Sequence, residues 1–208
     1  MSGRHPIVAM PHLIDHLEGP LVEVREALEL RRRHLAVSAK AIALRLAELP
    51  VEGWGIAAKR IAATSDSQPF GELLNQLATV ERLIDALIWA EGECPPSTTV
   101  SVNPTTSASG SDLVVHLRPR WYFEVCDVTR PGNNNGKLDR DLRSLTAVSA
   151  DLGARKFLVV SAEWTTWLSR QPARFWESRG WRPTQPADMR AGVGLNGTGV
   201  LEIRRCFD

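Results

Sequence analysis

The chain has 208 residues, 43% hydrophobic and 24% charged, with a formal net charge of +1. That composition is ordinary for a folded globular protein and excludes collagen-like, low-complexity and strongly charged disordered classes. No run approaches the ~20 apolar residues of a membrane span, and residues 1–20 lack a continuous apolar stretch before a small-residue cleavage site, so a cytoplasmic protein without membrane contact is expected.

Charge is distributed unevenly. Residues 1–96 hold 10 Lys+Arg against 13 Asp+Glu, and residues 97–208 hold 15 against 11. The basic excess of the second half is a weak pointer to a nucleic-acid surface there. Cys94, Cys126 and Cys206 are an odd number without CxxC spacing; reduced thiols are expected, not a disulfide framework or structural zinc.

The first half reads as helical. Leu21, Val24, Leu28, Leu35, Ile42, Leu46 and Leu49 recur at near-helical spacing between Pro20 and Pro50, predicting one long helix or two shorter ones. Arg31, Arg32 and Arg33 on it fit a solvated face. A short helical piece over 56–63 and a polar loop over 64–69 precede a second helix over about 70–90, which ends before Pro95-Pro96. Composition then turns to Thr, Ser and Val, and 98–104 is read as a strand.

The stretch 111–130, SDLVVHLRPRWYFEVCDVTR, predicts two strands joined at Arg118-Pro119-Arg120. Strand side chains alternate between faces. Leu113, Val115, Leu117, Trp121, Phe123 and Val125 therefore form an apolar face, and Asp112, His116, Glu124 and Cys126 lie on the other. Superposing the apolar faces by placing Val115 opposite Val125 and Leu117 opposite Phe123 requires a loop with an odd number of residues, or a bulge. In that register His116 stands opposite Glu124, with Asp112 further along the same face, and Asp127 is left on the apolar side or at the fraying end. Two carboxylates on neighbouring strands suit a hard divalent cation such as Mg²⁺ (or Mn²⁺), which can bind a phosphate oxygen and lower the pKa of an attacking water. A cross-strand ion pair between Glu124 and His116 is the alternative.

Residues 131–136, PGNNNG, read as a loop. An amphipathic helix over 137–152 follows, with Leu138, Leu142, Leu145, Val148 and Leu152 inward, Asp139, Arg140, Asp141 and Arg143 outward, and Gly153 as its C-terminal glycine. A buried strand over 154–161, helical patches over 164–169 and 172–178, and a closing strand over 200–204 complete the chain. Gly192, Gly194 and Gly197 spell GxGxxG without the strand-to-helix setting that dinucleotide binding needs. Trp164, Trp167, Trp176 and Trp181 could stack on bases, but core packing is the commoner fate of such residues.

The order of elements, helix 70–90, strand 98–103, strand with Asp112, strand with Glu124, helix 137–152 and strand 155–161, resembles the α-β-β-β-α-β core of the PD-(D/E)XK nuclease-like superfamily over residues 71–161. The resemblance implies an α/β (α+β) fold with a restriction-endonuclease-like mixed sheet over 70–208, preceded by a helical N-terminal region over 1–69. It also implies Asp112 and Glu124 as ligands for Mg²⁺ (or Mn²⁺) in hydrolysis of DNA or RNA. The family's lysine position is Cys126, which cannot supply an ammonium. Lys137 or Lys156 would have to substitute, with His116 orienting Glu124 and arginines of the second half holding phosphates. The alternative reading is a catalytically degenerate member that binds nucleic acid or a protein partner. A homodimer, or an interaction factor working through the helices 21–49 and 70–90, is also compatible with the sequence.

Overall fold

The computed structural model describes residues 16–56, 58–59, 70–103, 111–126, 135–147, 153–183, 190–191 and 197–206. It is a mixed α/β structure. β1 (Leu17–Pro20) runs into α1 (Leu21–Ala47), followed by α2 (Phe70–Glu91), β2 (Thr99–Val102), β3 (Leu113–Val115), β4 (Trp121–Val125) and α3 (Asn135–Ala147). β5 (Arg155–Ser161), α4 (Ala162–Ser169), α5 (Ala173–Glu177), β6 (Trp181–Pro183), β7 (Arg190–Ala191) and β8 (Thr198–Arg205) complete it. No helix among the described residues is long and apolar enough to cross a membrane.

One sheet runs through these elements in the order β1-β2-β3-β4-β5-β8-β6, with β7 pairing β8. β1 to β4 are successively antiparallel, β4 and β5 are parallel, and β8 is antiparallel to β5, β6 and β7. The parallel step follows from the connection. Strands joined by a short loop pair antiparallel, whereas β4 and β5 are joined through α3, the crossover that a parallel pair requires.

Both faces of the sheet are covered, and the alternation of the strands separates the two cores. Leu113, Val115, Trp121, Phe123, Val125, Phe157 and Val159 pack with Leu21, Val24 and Leu28 of α1 and Leu83, Ile84 and Leu87 of α2. Phe123 stacks on Phe157 at 4.6 Å between ring centroids, and Trp89 of α2 meets Phe157 edge-on at 5.1 Å. On the opposite face Tyr122, Cys126, Leu158, Val160, Leu201 and Ile203 pack with Leu138, Leu142 and Leu145 of α3 and with Trp164, Trp176 and Trp181. These three tryptophans are fully buried, which places them in the core and leaves no base-stacking surface from them.

The single helix α1 realises the long-helix alternative. It shares a core with α2 and the sheet, and β1 joins the sheet edge, so residues 17–47 belong to the same layered unit as the strands. Polar ties reinforce this packing. Arg25 of α1 donates to Glu91 at the end of α2 at 2.8 Å, and Thr198 of β8 donates to Asp85 of α2 at 2.6 Å. Gly153 has φ +79°, the left-handed conformation expected after a helix. All three cysteines are free thiols. Asp127, Val148, Leu152, Gly192, Gly194, the polar loop 64–69 and most of PGNNNG lie outside the described residues.

Packing is close where α4 crosses β8. A Cβ placed on Gly199 would run into the Thr165 side chain, whereas one on Gly55 meets nothing within 4 Å. Gly199→Ala is expected to cost about 1–3 kcal/mol by overpacking, and Gly55→Ala to stay within about 0.5 kcal/mol. Adding Thr165→Ala to the Gly199 variant should recover part of the loss. Chemical denaturation of the four proteins measures these differences.

Candidate functional site

The site is set by the register between β3 and β4. Leu113 pairs with Phe123, Val114 with Tyr122 and Val115 with Trp121 across a five-residue loop, 116–120. The parity expected from the alternating pattern holds, but the register is displaced by four residues from the one expected. The reason is geometric. A displacement by an even number keeps every side chain on its face, so the apolar pattern fixes parity and leaves the choice among even shifts to the loop and to neighbouring strands.

This displacement reorganises the polar face. Continuing the observed register by one residue brings Asp112, not His116, opposite Glu124. His116 falls in the loop, exposed; its backbone N–H donates to Thr99 O at 3.0 Å and its ring Nε2 lies 2.6 Å from Ser101 Oγ. The expected His116–Glu124 pairing is therefore corrected: His116 is tied to β2 and does not orient Glu124.

Asp112 and Glu124 share the face covered by α3. The Val125 backbone N–H donates to Asp112 Oδ2 at 2.7 Å, pinning that carboxyl to β4. Glu124 is only 4% exposed. Its Oε1 and the Ser111 Oγ are buried without a well-formed hydrogen bond. Buried polar atoms nearly always have partners, and the Ser111 hydroxyl and the Asp112 carboxyl are the side chains that interact with Glu124 here.

Charge enters from α3. The Lys137 ammonium donates to Val125 O at 3.0 Å and lies 3.2 and 3.4 Å from the two oxygens of Asp141. Lys156, the other lysine expected as a substitute, is buried on β5 opposite Tyr122, with its ammonium over the Trp181 ring at 5.7 Å. The cation acting on the carboxyl pair is thus Lys137, placed in the first turn of the helix that follows β4. Cys126 is completely buried, with its backbone N–H donating to Val159 O at 2.9 Å.

Asp141 was expected to face outward and is instead buried. Its spacing from Leu138, Leu142 and Leu145 is i+3, i−1 and i−4, which puts it inside the apolar stripe of α3. That periodicity was the available signal for the third acid of the cluster. Asp139, assigned to the same outward set, pairs with Arg179 at 2.7 Å.

The electrostatics follow from burial. Desolvation raises Asp112 to about 6 against the lowering effects of the Val125 N–H and Lys137. Glu124 is pushed up to about 9 by desolvation and then by the neighbouring charges of Asp112 and Asp141. Asp141 is raised by desolvation, opposed by Lys137. For Lys137 burial acts downward, but Asp141, Cys126 and Asp112 more than offset it, and its pKa is raised. At neutral pH the Asp112–Glu124 pair accordingly retains a proton and Lys137 is an ammonium.

Two adjacent carboxyls form a hard-oxygen donor set of the kind that holds Mg²⁺ with most of its waters retained. Among the described residues no group of three or more His, Cys, Asp and Glu side chains converges in an arrangement able to hold a metal. An ion here would therefore be held by Asp112 and Glu124 together with waters. Comparison with protein-family models, with curated proteins and with solved structures finds no match to this chain.

The raised pKa of Glu124 has a definite consequence for stability. A carboxyl whose pKa is higher in the folded state stabilises the fold when protonated, and that contribution is lost as pH rises from about 4.5 to about 9. Glu124→Gln, permanently neutral, should be close to wild type at pH 4.5 and more stable by on the order of 2 kcal/mol at pH 8. Thermal melts of both proteins across that range measure the difference; a gain that is the same at every pH would contradict the assignment.

Proposed function

We propose that the protein is a metal-dependent nuclease that hydrolyses phosphodiester bonds in DNA or RNA, built on a restriction-endonuclease-like core. The observation that carries this reading is the placement of Asp112 opposite Glu124 on adjacent strands beneath a helix whose Lys137 supplies the ammonium that Cys126 cannot. The order α2-β2-β3-β4-α3-β5, with an antiparallel β2-β3-β4 meander and a parallel β4-β5 pair, supports it independently.

Asp112 and Glu124 would hold Mg²⁺ or Mn²⁺, which when bound supplies polarisation of a phosphoryl oxygen and a more acidic water. In hydrolysis a water oxygen forms a bond to phosphorus and one P–O ester bond breaks. The water loses a proton and the leaving oxygen gains one.

Lys137 is an ammonium at neutral pH and does not serve as the base. Its three donors are directed at Val125 O and the two Asp141 oxygens, so Lys137 acts through its charge. Its positive charge opposes the charge that accumulates on the phosphoryl group. Arg140, exposed one residue before Asp141, is a further candidate for a phosphate contact.

The second reading, a catalytically degenerate relative that binds nucleic acid or a protein partner, is favoured by the burial of Glu124 and its retained proton. Assays with Mg²⁺ or Mn²⁺ on single- and double-stranded DNA and RNA separate the two. The nuclease reading expects Asp112→Asn, Glu124→Gln and Lys137→Met each to lower cleavage by about 100-fold or more, and Lys156→Met to retain it if it folds. Equal activity in wild type and the first three variants would assign the cleavage to a contaminant. Absence of both cleavage and calorimetric Mg²⁺ or Mn²⁺ binding would leave the binding module.

A further inference from the structure

Resting on the nuclease reading, we propose that Asp141 is a positioning residue whose carboxylate holds the Lys137 ammonium within electrostatic reach of the Asp112–Glu124 pair, replacing the strand-borne lysine absent at Cys126. The geometry is specific. Both Asp141 oxygens lie within 3.4 Å of Lys137 Nζ, and Val125 O, on the strand residue between Glu124 and Cys126, lies 3.0 Å from the same atom. The ammonium is thus clamped between its own helix and the end of β4.

Local helix physics does not account for this pair. A lysine in the first turn opposes the helix dipole, which favours acids there and bases at the far end. Lys followed by Asp at i+4 is also the less favourable orientation of an i,i+4 ion pair. Asp141 meanwhile occupies a position in the apolar stripe between Leu138 and Leu145, where an unpaired acid is costly and an aliphatic residue would pack well. An arrangement unfavourable to the helix at both residues is accounted for by what it does for the carboxyl pair.

Cys126 completes the arrangement. Its thiol interacts with the Asp141 carboxylate, and its side chain is wholly buried. The residue at the family's lysine position therefore supports the anchor of the lysine that replaces it. A long, flexible lysine reaching from a helix needs such an anchor more than a lysine on a strand would, because it has more rotamer freedom to lose before reaching the reacting group.

Two measurements on the full-length chain test the assignment. The first is independent of catalysis: reductive methylation with formaldehyde, followed residue by residue by mass spectrometry, with Lys40 as an exposed reference. Asp141→Asn is expected to raise the labelling rate of Lys137 about tenfold, the effect of losing a charged hydrogen bond, and Asp141→Glu to restore most of the protection. Leu145→Ala serves as a control for simple loosening of α3. Labelling of Lys137 unchanged in Asp141→Asn, or raised equally by Leu145→Ala, overturns the proposal.

The second measurement is steady-state cleavage with Mg²⁺ or Mn²⁺. Asp141→Asn is expected to lower kcat while leaving KM and metal affinity near wild type, and Asp141→Glu to recover kcat. A kcat equal to wild type in Asp141→Asn overturns the positioning role. If wild type cleaves nothing, the nuclease reading fails by itself, and the labelling result still decides whether Asp141 holds Lys137.

Discussion

Burial of two facing carboxyls at the end of a strand pair is the constraint around which this structure is arranged. Asp112 and Glu124 sit on adjacent strands under a helix, where a charged acid without partners would be strongly unfavourable. Three features offset that cost: the Val125 N–H directed at Asp112, the retained proton on the pair, and the Lys137 ammonium reaching down from α3. Each depends on the path of the chain. β4 must pair with β3 in the observed register, and the segment after it must return as a helix over the same face.

The two apolar layers make that possible. One face of the sheet is closed by α1 and α2 around the stacked Phe123 and Phe157, and the buried Glu202 of β8 on that face is paired with Arg155 at 2.9 Å. The other is closed by α3, α4, α5 and three buried tryptophans, and it accepts the polar cluster at the margin of its core. Because successive strand residues alternate, Phe123, Glu124 and Val125 serve a hydrophobic core and a polar site at the same time. The aromatic face gives the sheet its rigidity, and the opposite face carries the polar cluster.

Much of the architecture was legible in the sequence because it rests on local periodicity. Leu138, Leu142 and Leu145 specified the inner face of α3, and the alternation of Leu113, Val115, Trp121, Phe123 and Val125 specified which side of the hairpin meets α1 and α2. The same periodicity placed Asp141 inside the stripe of α3, although polarity suggested solvent. Where the pattern and the chemical character of a residue disagreed, the pattern prevailed, since Asp141 had a lysine to pair with. His116 illustrates the opposite case. Its expected partnership with Glu124 depended on a register that alternation alone does not select, and pairing of β3 with β2 drew it towards Ser101 instead.

The sequence by itself determined the mixed α/β class, the order of the elements from α2 to β5 and the sharing of one sheet face by Asp112 and Glu124, because each follows from spacings within a few residues, whereas β1, β6 and β7 were not expected from it. Only the tertiary structure decided that these two acids stand opposite one another, that the charge of Lys137 reaches them while Lys156 lies against Trp181, and that Asp141 pairs with Lys137. Those outcomes depend on how far one strand slides past its neighbour and on where a helix lands after a nine-residue connection, 126–134. Such distances are set by packing of the whole core, and no local pattern in the chain encodes them.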